Sequence, residues 1–359
     1  MASLISLLKT KAHTAYKNIE IKNHHLQYLF LEITRLCNLT CLHCGSDCTT
    51  IAAEKQLTPE SWAQIISYIS KTYGKSVCFV LTGGEPLCAP GLDTILKALK
   101  KSGNRWGLVT NGLLLSEDML STLIKHGLSS LTISLDGPKE SHNYLRNKKG
   151  AFEKAVHAID NAAASDIPMW DVVTCVHPGN LHQLDETAEI LIRRGCKRWR
   201  LFRIFPIGRA GNNKKLYLNH QDTWNMLNWI IDNKPYYKKH GLNLEYACEG
   251  WVPFDIDRKI RNTPFFCRAG INIASILTDG SITGCPNNNP SFIQGNILND
   301  NLQYIWQHRF QDFRKRMWLK DTVCAACKQV KSCRGSSIHL WQDGKKQPAF
   351  CYMEKKDTL

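Results

Sequence analysis

The sequence predicts an α/β fold of parallel strand–helix units, and two observations carry that reading. From residue 28 onward, short apolar runs alternate with amphipathic stretches of helical length. Polar, often glycine-containing motifs recur where the apolar runs end. Such alternation means βα units with parallel strands, and these architectures bind ligands at the carboxyl ends of their strands. The chain has 359 residues, 43% of them hydrophobic, enough for one large domain and a smaller one.

In chain order, Leu4, Leu7 and Leu8 come first. They have helical spacing and are followed by Lys9 and Lys11, which predicts a helix capping the barrel; a helix lying on a membrane surface is the alternative. The first strand is 28–34, and it runs straight into Cys37-x3-Cys41-x2-Cys44. Thr58-Pro59-Glu60 supplies a cap and a first-turn proline for a helix over 59–72. A buried strand at 77–81 ends in Thr82-Gly83-Gly84-Glu85-Pro86. There Gly-Gly lets backbone approach a ligand closely, and Glu85 can accept from an ammonium group. Helices follow at about 90–102, 116–127, 150–164 and 180–194, between strands at 105–110, 130–135, 168–176 and 198–205. The third strand ends in Thr110-Asn111-Gly112. The fourth carries Ser134 and Asp136 on one face by its period of two. After the sixth comes Pro206-Ile207-Gly208-Arg209-Ala210, in which Arg209 receives no role, and then a bridging helical segment with basic flanks.

Three thiolates at Cys37, Cys41 and Cys44 leave one iron of a [4Fe–4S] cube free for an outside ligand. Zinc also takes closely spaced thiolates, so the second motif is needed to choose. A cysteine loop after the first strand, followed by Gly83-Gly84-Glu85-Pro86 after the second, resembles the radical S-adenosylmethionine (SAM) superfamily. The resemblance implies a partial (β/α)6 TIM-like barrel with six βα units. It makes Cys37, Cys41 and Cys44 the ligands of a catalytic [4Fe–4S] cluster whose free iron is chelated by SAM. It implies that Gly83, Gly84 and Glu85 meet the SAM amino group, that Ser134 and Asp136 meet the ribose, and that Arg146 pairs with the SAM carboxylate. Asn111 joins these as a cofactor-binding residue. The aromatic residue usual before the third cysteine is His43 here.

Cysteines cluster again near the end of the chain. Cys267 is followed by Gly280 and Cys285 across a predicted Asp279-Gly280 hairpin, then come Cys324-x2-Cys327-x5-Cys333, and last Cys351. This pattern resembles the SPASM extension of peptide-modifying radical SAM enzymes, which carries auxiliary clusters. The resemblance assigns Cys324, Cys327, Cys333 and Cys351 to a complete four-cysteine cluster. The first auxiliary site lacks a cysteine at Ser337, and the expected set is Cys248, Cys267 and Cys285 with an open or non-cysteine fourth position. One or two auxiliary [4Fe–4S] clusters are therefore expected. Zinc bound by the four C-terminal thiolates is the alternative.

The expected organisation is an N-terminal extension (1–27), a barrel (28–212), a bridge (213–244) and a cysteine-rich SPASM domain (245–359). The implied activity is reductive cleavage of SAM to a 5′-deoxyadenosyl radical, which abstracts hydrogen from a peptide or protein and leads to its oxidative modification. A bacterial subgroup with lipoprotein partners shares the Cys248-Glu249-Gly250 setting. The alternatives are a small-molecule dehydrogenase on the same scaffold and, in another class, a non-catalytic zinc- or nucleic-acid-binding protein. A ferredoxin or flavodoxin is the expected electron donor. With about 27 residues ahead of the first strand, a precursor is expected to dock on the barrel, the SPASM domain or a partner protein.

Composition narrows the choice of partners. Fifteen cysteines, an odd count clustered at short spacings without a secretion signal, argue against a disulfide framework and for a cytoplasmic protein. Cys78, Cys88, Cys175 and Cys196 read as core residues, and Cys48 as ambiguous. The formal charge of +15 is spread along the chain without a recognition helix or RNA-binding signature, so nucleic acid is not expected. No apolar run reaches the roughly 20 residues of a membrane span.

Overall fold

The computed structural model describes residues 4–51, 55–247 and 249–353. Its centre is a parallel sheet whose strands are apolar enough to be covered on both faces. The strands are β1 (Tyr28–Thr34), β2 (Cys78–Gly83), β3 (Trp106–Thr110), β4 (Leu128–Ser134), β5 (Met169–Val176) and β6 (Arg198–Arg203). They lie side by side in chain order, every neighbouring pair parallel. The intervening helices are α2 (Pro59–Tyr73), α3 (Leu92–Ser102), α4 (Glu117–Lys125), α5 (Lys139–Arg146), α6 (Ala151–Ala163) and α7 (Leu184–Arg193), with α1 (Leu4–Asn23) preceding β1. This is the partial barrel expected from the sequence.

Local chemistry accounts for the helix starts. Thr58 Oγ1 accepts from Ser61 N at 3.2 Å with Pro59 in the first turn, and Ser116 Oγ accepts from Met119 N at 3.2 Å. Such caps satisfy amide donors that a helix leaves free at its start. The helix expected over 180–194 begins at Leu184, after a short 3-10 turn. The strand expected to reach 205 stops at Arg203. Helix α5, over Lys139–Arg146, was not foreseen; its polar sequence shows no apolar stripe.

Beyond β6 comes α8 (His220–Lys239), then a seventh parallel strand, β7 (Asn243–Tyr246), paired to β6. The sequence did not announce it, because four residues are too few for a periodicity to register. After α9 (Phe254–Ile260) the chain crosses to the other edge of the sheet. There β8 (Ile273–Ile276) pairs parallel to β1, and β9 (Ser281–Thr283) and β10 (Gly295–Asn296) continue antiparallel. The predicted Asp279-Gly280 turn joins β8 to β9, with Gly280 at φ +87°. The sheet thus runs unbroken from the C-terminal hairpin through the barrel strands, and one apolar core extends from Leu26 to Ile338 and Tyr352.

Short helices α10 (Leu302–His308), α11 (Gln311–Arg314) and α12 (Val330–Cys333) complete the C-terminal region. Helix α1 packs there, not across the barrel as expected. Lys17 Nζ donates to Ser332 O at 2.9 Å, Arg268 reaches Tyr16 and Glu20, and Trp306 Nε1 donates to His24 O at 2.8 Å just after the helix. Lys17, in the middle of this polar helix, is only 3% exposed, so a lysine takes part in the docking face.

Gly270, at the base of the β8–β9 hairpin, has φ +68°, and a Cβ there would lie 2.4 Å from the Cβ of buried Phe313. Gly270→Ala therefore combines left-handed strain with overpacking. It should lower the unfolding free energy by about 2–4 kcal/mol, read from denaturant midpoints.

Candidate active site

The loop 35–49 leaves β1 at its carboxyl end and is fastened by other elements before any metal is considered. Cys37 N donates to Thr49 O at 2.8 Å, Leu42 N to Leu145 O at 2.9 Å, and Glu85 N to Leu36 O at 2.9 Å. Arg209 does most of the work on the far side. Its backbone N donates to Cys44 O at 2.9 Å, its Nε to Cys41 O at 2.9 Å, and its Nη1 to Cys48 O at 2.7 Å and Asp47 Oδ1 at 2.8 Å. Gly208 makes that approach possible: it has φ +57°, and a Cβ would fall 2.4 Å from the carbonyl oxygens of Cys44 and Gly45. The Gly208-Arg209 pair was visible in the sequence without a function, and its function is to hold the cysteine loop.

Gly83 and Gly84 also serve close packing. A Cβ on Gly83 (φ +139°) would lie 2.2 Å from Thr34 O, and one on Gly84 would lie 2.4 Å from Leu36 O. The two glycines let the end of β2 press against the start of the cysteine loop. Glu85 is completely buried, and its carboxylate accepts from Thr110 Oγ1 at 2.8 Å, Asn111 N at 2.8 Å and Leu87 N at 3.2 Å. It does not line the cavity beside the cysteines. Through these three protein donors Glu85 ties the ends of β2 and β3 together.

Asp136 is held by protein donors as well. It lies beyond the end of β4, fully buried, with Oδ2 2.6 Å from Arg146 Nε and Oδ1 accepting from Cys175 N at 2.9 Å. Burial pushes its carboxyl up, but Arg146, His43 and His142 outweigh this and hold it at about 2. Asp136 is thus the counter-ion of Arg146 and does not line the cavity. Arg146 does, as do Ser134 and Asn111. Arg146 also points Nη1 at Cys41 Sγ, 3.8 Å away. Asn111 Nδ2 donates to Asn38 Oδ1 at 2.8 Å and lies 4.0 Å from Cys37 Sγ. His43, Asp136 and Cys175 bring donor atoms within 4.8 Å of one another, but Asp136 already has a cation in Arg146.

These residues enclose a cavity of about 290 Å³ at the carboxyl ends of the strands. Cys37, Cys41 and Cys44 line it together, with Cys48 beside them. Burial pushes the Cys37 thiol up to about 12 and raises Cys41, where Arg146 opposes the shift. Cys44 is shifted down by its hydrogen bond with Cys48, with Arg209 contributing. A thiol donor set grouped this way, with basic side chains and no carboxylate in the lining, fits an anionic iron–sulfur cluster; ligation would release the thiol protons.

A second group of sulfurs lies in the C-terminal region. Cys324, Cys327, Cys333 and Cys351 line one small cavity of about 30 Å³. Burial, with Cys351 and Cys324 adding to it, pushes Cys333 up to about 12. Four thiols around one void fit a four-thiolate cluster. The first auxiliary set is different. Gly284, before Cys285, packs on Gly270, three residues after Cys267, so the two cysteine-bearing segments adjoin. Cys248, the third expected ligand, lies outside the described residues. Ser337 is buried, at 1% exposure.

The buried Asp136–Arg146 pair yields a stability prediction. Asp136→Ala leaves a guanidinium in the interior without its counter-charge and should cost about 3–5 kcal/mol. Asp136→Leu with Arg146→Met should cost markedly less. Equal destabilisation of the single and double variants in urea titrations would contradict the pairing.

Comparison with known proteins agrees with this geometry. The family model described as "Radical SAM superfamily" matches residues 31–191, and the SPASM model, described as "Iron-sulfur cluster-binding domain", matches residues 267–329. The chain is similar to an AdoMet-dependent heme synthase of Methanosarcina barkeri, 26% identical over 85% of this chain and 89% of that one. It is also similar to the PqqA peptide cyclase of Rhizobium meliloti, 24% identical over 90% of this chain and 86% of that one. Among solved structures, native anSMEcpe with bound AdoMet and Cp18Cys peptide superposes with a TM-score of 0.71 at 18% identity, covering 91% of this chain and 93% of that chain. No described helix is long and apolar enough to cross a membrane. The chain thus carries a radical SAM domain over residues 31–191, which hold the cysteine loop at the mouth of the partial barrel, and a SPASM domain over residues 267–329.

Proposed function

We propose that the protein cleaves SAM reductively at a cluster on Cys37, Cys41 and Cys44 and oxidatively modifies a peptide or protein by abstraction of hydrogen from a C–H bond. The observation that carries this reading is the sharing of one cavity by the three cysteines, Ser134, Asn111 and Arg146. Bound there, a [4Fe–4S] cluster with SAM supplies reductive S–C5′ cleavage, and a cluster on Cys324, Cys327, Cys333 and Cys351 supplies an electron acceptor. The chain's own residues position and shield the reactants. Arg146, braced by Asp136, offers its guanidinium to the SAM carboxylate. Backbone groups of Thr82, Gly83 and Gly84, on the cavity wall, take the SAM amino group in place of the Glu85 side chain. Ser134 offers its hydroxyl to the ribose. The barrel walls exclude water that would quench a radical. Cys248, Cys267 and Cys285 form the proposed set for a first auxiliary cluster. The proposed domain limits are those expected above, and a cytoplasmic setting with a ferredoxin or flavodoxin donor is part of the same reading.

A second reading has its own support. The heme synthase is slightly more similar to this chain than the peptide cyclase, which favours a heme precursor as substrate. Anaerobically reconstituted protein supplied in parallel with candidate precursor peptides and with iron coproporphyrin decides between them by mass spectrometry of the products.

Replacing Cys37, Cys41 and Cys44 together by Ala should abolish 5′-deoxyadenosine formation and lower the iron content by one cluster's worth, with the C-terminal iron retained. Wild-type rates of deoxyadenosine release from that variant would overturn the assignment. Arg146→Ala should weaken SAM binding by about 1.5–3 kcal/mol, as for a lost charged hydrogen bond. Unchanged affinity by calorimetry would place the SAM carboxylate elsewhere.

A further inference from the structure

Three arginines and no carboxylate line the central cavity: Arg146, Arg203 and Arg209. Two of them already have tasks. Arg209 holds the cysteine loop, and Arg146 is bound to Asp136 beside Cys41. Arg203 is the cation left over. It is the last residue of β6, and the residues that follow it, Ile204 and Phe205, line the cavity with it.

Arg203 is 4% exposed and braced on two sides. Its Nε lies 3.0 Å from Glu249 Oε1 and donates to Tyr246 Oη at 3.3 Å. The Phe350 ring covers one face, 3.9 Å from Cζ. Glu249 is fully buried and accepts as well from Arg203 N and from Tyr246 Oη. The Nε edge is therefore fixed, while Nη1 and Nη2 have no hydrogen-bond partner among the described residues. Buried arginine is costly unless its donors are satisfied, and a braced guanidinium is a preorganised two-donor fork. The adjacent His339 adds no charge, since burial, with Arg203 nearby, pushes it down to about 4.

We propose that Arg203 anchors the substrate, binding a carboxylate of the molecule oxidised in this cavity through its Nη1–Nη2 edge. The proposal rests on the radical SAM reading above and names what that substrate must carry. A carboxylate suits the site better than a phosphate dianion. Glu249 already balances the guanidinium charge, so what the site offers is the geometry of a fork and not a surplus of charge. The carboxylate can belong to an acidic residue or C-terminus of a peptide, or to a carboxylated porphyrin.

The test uses the full-length, cluster-loaded protein and paired probes. One pair is a peptide with a single Glu and a free C-terminus against its Gln, C-amidated counterpart. The other is iron coproporphyrin against its methyl ester. The wild-type protein should bind the acid form of one pair about 10- to 100-fold more tightly than the neutral form, as for a lost charged hydrogen bond. The responding pair identifies the source. In Arg203→Gln the acid-to-neutral ratio should fall to near one, and Arg203→Lys should restore it only in part. If Arg203→Gln does not fold, because Glu249 is left unpaired, the double variant Arg203→Met with Glu249→Gln removes both charges and should show the same collapse. Overturning results are a wild-type ratio near one in both pairs, no binding of either acid probe, or a ratio that survives in the folded variant. Failure of the wild-type protein to form deoxyadenosine from SAM overturns the radical reading separately, and the binding ratios still decide the anchor.

Discussion

The site depends on one constraint: a loop of soft, buried thiols must be rigid before a metal can use it. A flexible loop would have to be ordered at the moment of binding, at a conformational cost of roughly 1–2 kcal/mol per residue. Here that ordering is built in by backbone hydrogen bonds from distant parts of the chain. Thr49 closes the loop on itself, Leu145 at the end of α5 holds Leu42, Glu85 after β2 holds Leu36, and Arg209 after β6 holds Cys41, Cys44 and Cys48. The anchors come from opposite ends of the barrel sheet. The partial barrel is thus what brings them to one place, since its curvature places the chain after β6 against the loop after β1.

Buried charge does the second part of the work. Glu85, Asp136 and Arg146 would each be destabilising alone. Glu85 is given protein donors and sits as a hub between β2 and β3. Asp136 and Arg146 are given each other, and Asn180 Nδ2 fixes the Asp136 carbonyl at 2.7 Å. The result is a cavity wall from which carboxylates are withdrawn and toward which guanidinium groups are turned. That polarity suits thiolate-ligated iron and the carboxylate of SAM, and it arises locally. The overall charge of +15 is spread along the chain and does not explain it.

Much of this was legible in the sequence because it rests on local pattern. Apolar runs of five to eight residues between amphipathic stretches located β1 to β6 to within about two residues. Cysteine spacing located both sulfur groups. What stayed hidden depends on tertiary partners. Whether Glu85 faces a ligand or a neighbouring strand is decided by the amide of Asn111, 26 positions away. Whether Asp136 faces ribose or Arg146 depends on where α5 lies, and that short polar helix has no apolar stripe to announce it. The four-residue β7 is defined only by its pairing with β6. The task of Arg209 was hidden for the opposite reason, since its partners are carbonyls, which leave no trace in a sequence. Arg203 did leave a signal: it falls on the same face of β6 as Trp199 and Leu201, a cation where the pattern calls for an apolar side chain.

The same fold serves relatives named for peptides and for heme, so substrate choice cannot reside in the shared scaffold. The cavity itself suggests a division of labour. Its wall near the cysteine loop is built from the ends of β1 to β4, where the proposed SAM-binding positions fall, and its other wall comes from β5 and β6. That second wall is tied to the C-terminal region. Arg203 is braced by Glu249 and Tyr246, Tyr246 bonds to Tyr352, and Tyr352 follows Cys351 of the four-cysteine cavity. The cation at the end of β6 and the residue next to Cys351 are thus joined by a short, buried hydrogen-bond chain. Arg203 and the four-cysteine cavity are in this way parts of one packed unit. The C-terminal region is therefore a structural support for the chamber as well as the holder of four clustered thiols, and that follows from packing alone.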